Sequence, residues 1–228
     1  MVKPNSIPWQ VAIVDASKLT EVWCGGSIIC PKFVLSAAHC IYNSDTNKLI
    51  PVANRRVAVG MHNRFKSDEV EFHEIKKVHK HPNWNKKEFN NDFAIVELKD
   101  PIGLDKHDAK AIYLPPAPAM PTPPVGTHFF VSGWGRLSIT GSGCYPQTLN
   151  AVSLPSISLK DCEKAYAPDN WPVTPQMICT SYPGGRKDTC SGDSGGMKII
   201  SLLLEIEHVT STYFTQVPWY GSTLTPTK

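Results

Sequence analysis

Short apolar runs of four to six residues, separated by Pro, Gly, Asn or Asp, dominate this chain of 228 residues. Runs rich in β-branched and aromatic residues and bounded by such residues are typical of β-strands. Helical periodicity is scarce: residues 37–42 predict one short helical turn, and residues 158–166 predict a modest helix. The pattern therefore predicts an all-β fold, either a barrel or a sandwich. The strands are expected at residues 9–14, 26–29, 32–36, 56–59, 93–98, 127–132 and 149–154.

The chain is long enough for one large domain or for two lobes that each have a core. A proline-rich stretch at residues 114–124 has no strand pattern, and we interpret it as a connector between halves of similar length. No apolar run approaches the ~20 residues that a membrane-spanning helix needs. The first five residues show no apolar segment of a signal peptide. The formal net charge of +3 is mild and indicates no particular partner.

Seven cysteines in a chain of this size indicate disulfides and an oxidising compartment. A zinc site is the alternative, but the sequence has no Cys-x-x-Cys pair and its cysteines lie far apart. Because the count is odd, at least one thiol has no disulfide partner within the chain.

The sequence Gly-Asp-Ser-Gly-Gly at residues 192–196 has the composition of a tight turn that exposes a reactive hydroxyl. Glycines let the backbone bend and let a substrate carbonyl approach, while their N–H groups can face a developing negative charge. A serine hydroxyl is a poor nucleophile unless a base, usually histidine, lies beside it and is oriented by a third group. His39, in Ala-Ala-His-Cys, supplies a candidate base, and Asp92, in Asn-Asp-Phe-Ala, supplies a candidate carboxylate.

Six short motifs lie along the chain: Pro-Trp-Gln-Val at 8–11, Cys-Gly-Gly-Ser at 24–27, Val-Leu-Ser-Ala-Ala-His-Cys at 34–40, Asn-Asp-Phe-Ala-Ile-Val at 91–96, Ser-Gly-Trp-Gly at 132–135 and Asp-Thr-Cys-Ser-Gly-Asp-Ser-Gly-Gly at 188–196. Together they resemble the trypsin/chymotrypsin family of serine endopeptidases, over roughly residues 4–197. The resemblance implies two antiparallel β-barrels with the active site in the cleft between them. It implies a single peptidase domain over residues 1–228, with the first barrel at about 1–115 and the second at about 125–228.

The resemblance assigns a role to each site residue. Ser194 resembles the nucleophile, His39 the general base and then acid, and Asp92 the carboxylate that orients the histidine. The N–H groups of Gly192 and Ser194 would form the oxyanion hole. Asp188 resembles the residue at the base of the primary specificity pocket, which implies cleavage after Arg or Lys; a plain surface aspartate is the alternative. The implied partners are protein or peptide substrates and protein protease inhibitors, and no cofactor is needed.

The resemblance also implies two disulfides, Cys24–Cys40 and Cys162–Cys179. Met61 stands where the calcium-binding members of the family carry an acidic ligand, so no metal is expected. The pairing of the remaining cysteines stays open: Cys30, Cys144 and Cys190.

Both ends of the sequence depart from the family pattern. Active members begin with an Ile-Val-Gly-Gly-like terminus whose ammonium pairs with the acid before the catalytic serine, here Asp193, whereas this sequence begins Met-Val-Lys-Pro. After Gly196 the family continues with a Ser-Trp-Gly-like segment and a C-terminal helix, and residues 197–228 contain neither pattern. We therefore expect incomplete last strands, no closing helix, and little or no activity of the chain as written.

Two alternatives to an active enzyme remain. One is a catalytically silent or zymogen-like protease homologue with a binding or regulatory role. The other is a polyanion-binding module built on residues 76–87, which are rich in Lys, His and Asn and which we interpret first as a solvated loop. The favoured hypothesis is a secreted, monomeric serine endopeptidase without nucleic-acid or membrane partners.

Overall fold

The computed structural model describes residues 1–43, 46, 48–88, 90–114, 123–137, 145–182, 192–196, 198–200 and 212–213. Nearly all of the regular structure in these ranges is β-strand, with one short α-helix and a few 3₁₀ turns. No helix in the described part of the chain has the length and apolar character needed to cross a membrane.

Six antiparallel strands in the first half of the chain close into a barrel. They are Gln10–Asp15 (β1), Lys18–Cys30 (β2), Phe33–Ser36 (β3), Arg55–Val59 (β4), Glu71–Lys80 (β5) and Ala94–Leu98 (β6). The strands follow one another around the barrel in the order β1-β2-β3-β6-β5-β4.

Alternation along these strands divides their side chains between two apolar clusters. Val11 and Ile13 of β1 point into the barrel, where they pack with Val57 and other fully buried aliphatic residues. Each such side chain contributes about 1.5–3 kcal/mol by leaving water. Ala12 and Val14 point outward into a second cluster that includes Trp134 and Leu149 from the second half of the chain. The outer face of the barrel therefore holds the two lobes together.

The second lobe is built around a four-stranded antiparallel sheet. Its strands are His128–Gly133 (β7), Asn150–Pro155 (β8), Lys198–Ile200 (β9) and Thr212–Tyr213 (β10), in the order β10-β9-β7-β8. Strand β7 lies between β8 and β9, so it connects the early part of this lobe with the segment that follows residue 196. One helix, α1 (Leu159–Tyr166), is capped at its N-terminus by Ser158, whose hydroxyl accepts a hydrogen bond from Asp161 N at 3.0 Å.

The prediction of an all-β, two-lobed fold is confirmed, and every predicted strand overlaps an observed one. The interpretation of residues 76–87 as a loop is wrong in its first part, because β5 runs through to Lys80. The expected incomplete last strands and missing C-terminal helix fall on residues that lie mainly outside the described ranges, as does most of the proline-rich connector.

Candidate active site

The pairing of β3 with β6 brings His39 and Asp92 to the same end of the first barrel. Ser36, the last residue of β3, lies opposite Ala94, the first residue of β6. His39 follows β3 in a 3₁₀ turn, Ala38–Cys40, and Asp92 comes just before β6. Because the two strands are antiparallel, the residue after one and the residue before the other meet at one edge of the sheet.

The Asp92 carboxylate holds the histidine at two points. Its Oδ1 accepts a hydrogen bond from the backbone N of His39 at 2.7 Å, and its Oδ2 lies 2.5 Å from His39 Nδ1. The Asp92 side chain is 2% exposed and the His39 side chain is 27% exposed. An ionised carboxylate only accepts hydrogen bonds, so Nδ1 carries the proton of the ring and Nε2 is the basic nitrogen. The imidazole is therefore fixed in orientation and tautomer, and its side chain is partly exposed.

A disulfide joins the histidine turn to strand β2. Cys40, next to His39, is bonded to Cys24, and the two Cα atoms are 6.1 Å apart. The residue after Cys24 then contacts the second lobe, because Gly25 N donates a hydrogen bond to Ser194 O at 2.7 Å. One short piece of β2 thus contacts both the histidine turn and the turn that carries Ser194.

The turn at residues 192–196 depends on glycine at two positions. Gly192 has a φ of +101° and Gly195 a φ of +81°, which favour glycine over any L-residue. A Cβ added to Gly195 would collide with Ser36 Oγ and lie 3.1 Å from Ala37 N, two residues before His39. The backbone around Ser194 is therefore packed directly against the segment that leads to the histidine.

The acidic residue of this turn is held by the second lobe. The carboxylate of Asp193, which is half-buried, accepts a hydrogen bond from Gly135 N at 2.7 Å. A Cβ on Gly133 or on Gly135 would overlap that carboxylate. The two glycines of the Ser-Gly-Trp-Gly motif thus make room for the side chain that precedes Ser194, and Gly135 supplies a backbone donor to it.

The other predicted site residues are distributed as follows. Cys162 is bonded to Cys179, and Cys30 is not part of a disulfide among the described residues. Asp188, Cys144 and Cys190 lie outside the described residues.

The one described cluster of three residues with metal-ligand chemistry contains Cys24, His39 and Cys40. Its two cysteines are bonded to each other, so their sulfurs are not thiolate ligands.

The basic segment proposed as an alternative polyanion site is partly neutralised by neighbouring groups. Lys76 Nζ lies 2.7 Å from Glu97 Oε1, and His79 Nε2 lies 3.1 Å from Glu97 Oε2. The ammonium of Lys80 sits over the rings of Tyr42 and Trp84, at 4.9 and 5.5 Å from their centroids. The ion pairs with Glu97 reduce the unbalanced positive charge that a polyanion would need.

Three polar residues beneath the turn were not predicted from the sequence. Ser36 Oγ donates to Gly25 O at 2.8 Å, and Ser132 Oγ donates to Gln10 Oε1 at 2.7 Å. All three side chains are at least nine-tenths buried. The sequence did carry a signal for them, because each of the three residues lies in one of the motifs that resemble the family.

Comparison with known proteins agrees with this architecture. The family model described as Trypsin matches residues 1–201. Serine protease 1 of Rattus norvegicus is 37% identical over 193 residues, which cover 84% of this chain and 69% of that protein. Trypsin-3 of Salmo salar is 37% identical over 195 residues, which cover 85% of this chain and 72% of that protein.

A longer relative matches over only part of its length. Mannan-binding lectin serine protease 1 of Homo sapiens is 35% identical over 202 residues, which cover 84% of this chain but 27% of that protein. The same protein of Mus musculus is likewise matched over 27% of its length. Because the family model spans residues 1–201 and a serine protease is 37% identical over 84% of this chain and 69% of its own length, the chain belongs to the trypsin family.

Proposed function

We propose that this chain is a serine endopeptidase with His39, Asp92 and Ser194 as its catalytic triad. The observation that carries the proposal is the double hydrogen bond between His39 and the buried Asp92 carboxylate, at 2.7 and 2.5 Å. A second support is the backbone bond from Gly25 to Ser194, which docks the serine turn beside the disulfide of the histidine turn. The named relatives are serine proteases, which is consistent with this chemistry.

In the proposed mechanism, His39 is the general base. Its Nε2 takes the proton of Ser194 Oγ while that oxygen attacks the carbonyl carbon of the scissile peptide bond. The imidazolium that forms is stabilised by the Asp92 carboxylate at Nδ1. The ring then donates the proton to the leaving amine, and the acyl group remains on Ser194. A water molecule, deprotonated by the same nitrogen, releases the acid and restores the serine.

The tetrahedral intermediate needs donors for its oxyanion, and we assign these to the N–H groups of Gly192 and Ser194. The positive φ of Gly192 orients its peptide in a way that an L-residue would resist. A single oxyanion donor lowers the barrier by about 2.7–4 kcal/mol. Specificity for Arg or Lys is assigned to Asp188 on the resemblance alone, with the substrate's positive charge pairing with its carboxylate.

The proposed setting is extracellular, with protein or peptide substrates, protein protease inhibitors as further partners, and a monomeric enzyme. Two disulfides among the described residues fit an oxidising compartment.

Labelling with a fluorophosphonate tests the activity directly, because this probe reacts with a serine that is activated by its base. Because little activity is expected of the chain as written, we expect slow formation of a single adduct, mapped to Ser194 by mass spectrometry and lost in Ser194→Ala and His39→Ala. Ser156→Ala is the matched control, since this buried hydroxyl bonds to Pro124 O at 3.0 Å, away from the turn. Absence of any adduct on the folded chain would overturn the proposal in favour of a catalytically silent or zymogen-like homologue.

Specificity is tested separately with peptide amides that differ only in the residue before the scissile bond. We expect Arg and Lys substrates to be cleaved at least about a hundredfold faster than a Leu substrate, and the preference to disappear in Asp188→Asn. A preference that survives this substitution would contradict the role of Asp188 without affecting the triad.

A further inference from the structure

A buried side-chain hydrogen bond crosses between the two lobes beneath the serine turn. Gln10 is the first residue of β1 in the first lobe, and Ser132 lies in β7 of the second lobe. Ser132 Oγ donates to Gln10 Oε1 at 2.7 Å across a sequence separation of 122 residues. Their exposed fractions are 5% for Gln10 and 7% for Ser132. The amide nitrogen of the glutamine also makes a hydrogen bond, since Nε2 donates to Val11 O at 3.1 Å.

This pair is in close contact with the backbone that positions Ser194. A Cβ built on Gly25 would lie 3.1 Å from Gln10 Nε2 and 3.1 Å from Gly196 N. A Cβ built on Gly196 would lie 3.0 Å from Ser132 O. Gln10, Gly25, Gly196 and Ser132 therefore pack so closely that an added carbon at either glycine would be tighter than an ordinary contact and would require a neighbour to shift.

The relative position of base and nucleophile depends on contacts between the lobes. His39 is fixed within the first lobe by Asp92 and by the disulfide of its turn, and neither contact involves the second lobe. Ser194 precedes β9, which pairs with β7 of the second lobe, and its carbonyl reaches the first lobe through Gly25 N at 2.7 Å. A shift of about 1 Å between reacting groups can cost on the order of a hundredfold in rate.

From these contacts we infer that Gln10 and Ser132 are positioning residues for the proposed reaction. Their hydrogen bond clamps β1 to β7 and so keeps Gly25 bonded to the carbonyl of Ser194. Neither side chain touches the reacting atoms; both act through the backbone of the serine turn. The catalytic part of this inference rests on the proposed endopeptidase function, whereas the effect on the Gly25–Ser194 bond does not.

The first experiment needs no activity. Hydrogen exchange of the Gly25 amide, followed by NMR on the full chain, reports how often the Gly25–Ser194 bond opens. We expect exchange to become about tenfold faster in Ser132→Ala and in Gln10→Met, which preserves length but removes the polar atoms. Exchange in the double variant should be no faster than in Gln10→Met alone, because the Ser132 hydroxyl has already lost its acceptor in that variant. Ser156→Ala, the buried-hydroxyl control, should leave this amide unchanged.

The second experiment measures the consequence for the reaction. In Ser132→Ala and Gln10→Met, we expect the fluorophosphonate labelling rate and kcat to fall about tenfold, with KM within about twofold of the parent value. The apparent pKa of the pH–rate profile should not move, because the His39–Asp92 pair lies wholly in the first lobe. Rates are normalised to folded chain, so that a simple loss of stability cannot mimic the effect.

The outcomes separate the two hypotheses. Unchanged exchange of the Gly25 amide in both variants would overturn the positioning role, whether or not the parent chain is active. Faster exchange together with an unchanged labelling rate would overturn its link to the reaction. A parent chain that is never labelled would refute the proposed function, while the exchange comparison would still decide whether Gln10 and Ser132 hold the turn.

Discussion

Replacing Gly135 by alanine is expected to disable the serine turn while leaving both lobes folded. Gly135 is not among the glycines with positive φ, so its backbone accepts an L-residue and the effect of the new methyl group is steric. That methyl would lie on the Asp193 carboxylate, 2.6 Å from Oδ1, and would displace the group that accepts the Gly135 N–H. The turn must then move, because Asp193 and Ser194 are adjacent.

The magnitude follows from the two contacts that are lost. A hydrogen bond to a charged group contributes about 1.5–3 kcal/mol, and overpacking by one carbon costs about 1–3 kcal/mol. Taking about 3 kcal/mol as the combined effect, the native position of the turn becomes roughly 150-fold less populated. We expect the fluorophosphonate labelling rate to fall by about that factor. The turn can swing out without unfolding a lobe, so the urea midpoint should change little.

The assay compares labelling rates and urea unfolding of the parent, Gly135→Ala and a matched control. Gly103→Ala serves as the control, because its new methyl would meet only the flexible side chain of Lys106, at 3.2 Å, and its φ is not positive. This control should label at the parental rate. Parental labelling in Gly135→Ala would refute the reasoning, since it would show that the carboxylate can leave its place without moving Ser194.

Three further changes test other parts of the fold. Replacing Cys24 and Cys40 together by alanine should lower the free energy of unfolding by about 3 kcal/mol, because the disulfide closes a loop with a sequence separation of 16; an unchanged urea midpoint would contradict this. The hydrogen bond from Lys76, together with a second one from His79, holds the pKa of the Glu97 carboxyl below its usual value of about 4.5. The stability that it contributes is present above about pH 4.5 and is lost as the pH falls through the lowered pKa. Glu97→Gln should therefore flatten the acid limb of a stability–pH curve, and an identical slope would count against the ion pair. Trp134→Ala should cost about 3–5 kcal/mol, because the indole is 1% exposed between the lobes, and a loss below 1 kcal/mol in urea unfolding would refute its role there.

The strands that could be predicted from the sequence are those whose apolar residues stand together or alternate without interruption. Strand β5 fails this test. Its buried residues His73, Ile75 and Val78 are not evenly spaced, because the pairing with β6 shifts register between Ile75 and Lys77. A buried histidine and a run of exposed lysines then give the segment the composition of a loop, although hydrogen bonds to β4 and β6 hold it in the barrel.

The sequence was enough to propose the chemistry of the candidate site, but not to predict which residues hold its turns in place. Ser194, His39 and Asp92 each stand in a short local motif, so residue type and neighbours were enough to propose them. Gln10 and Ser132 acquire a role only when two strands 122 residues apart in sequence are brought together. Periodicity describes which face of a strand is apolar, but it does not say which residue on another lobe that face will meet.

Substitutions at this site are expected to affect the rate and its pH dependence in two distinguishable ways, depending on whether they act within the first lobe or between the lobes. Changes at Asp92 act on the imidazole within the first barrel, where the carboxylate is 2% exposed, and they should change both the rate and its pH dependence. Changes at Gln10, Ser132 or Gly135 act on the distance between the histidine turn of the first lobe and the serine turn of the second. They should lower the rate at every pH by the same factor. The proposed triad, which is divided between the lobes, would therefore have an orientation set by one core and a spacing set by the interface. If substitutions of the second kind shifted the pH–rate profile as well, the histidine would have to depend on the interface, and this division between orientation and spacing would fail.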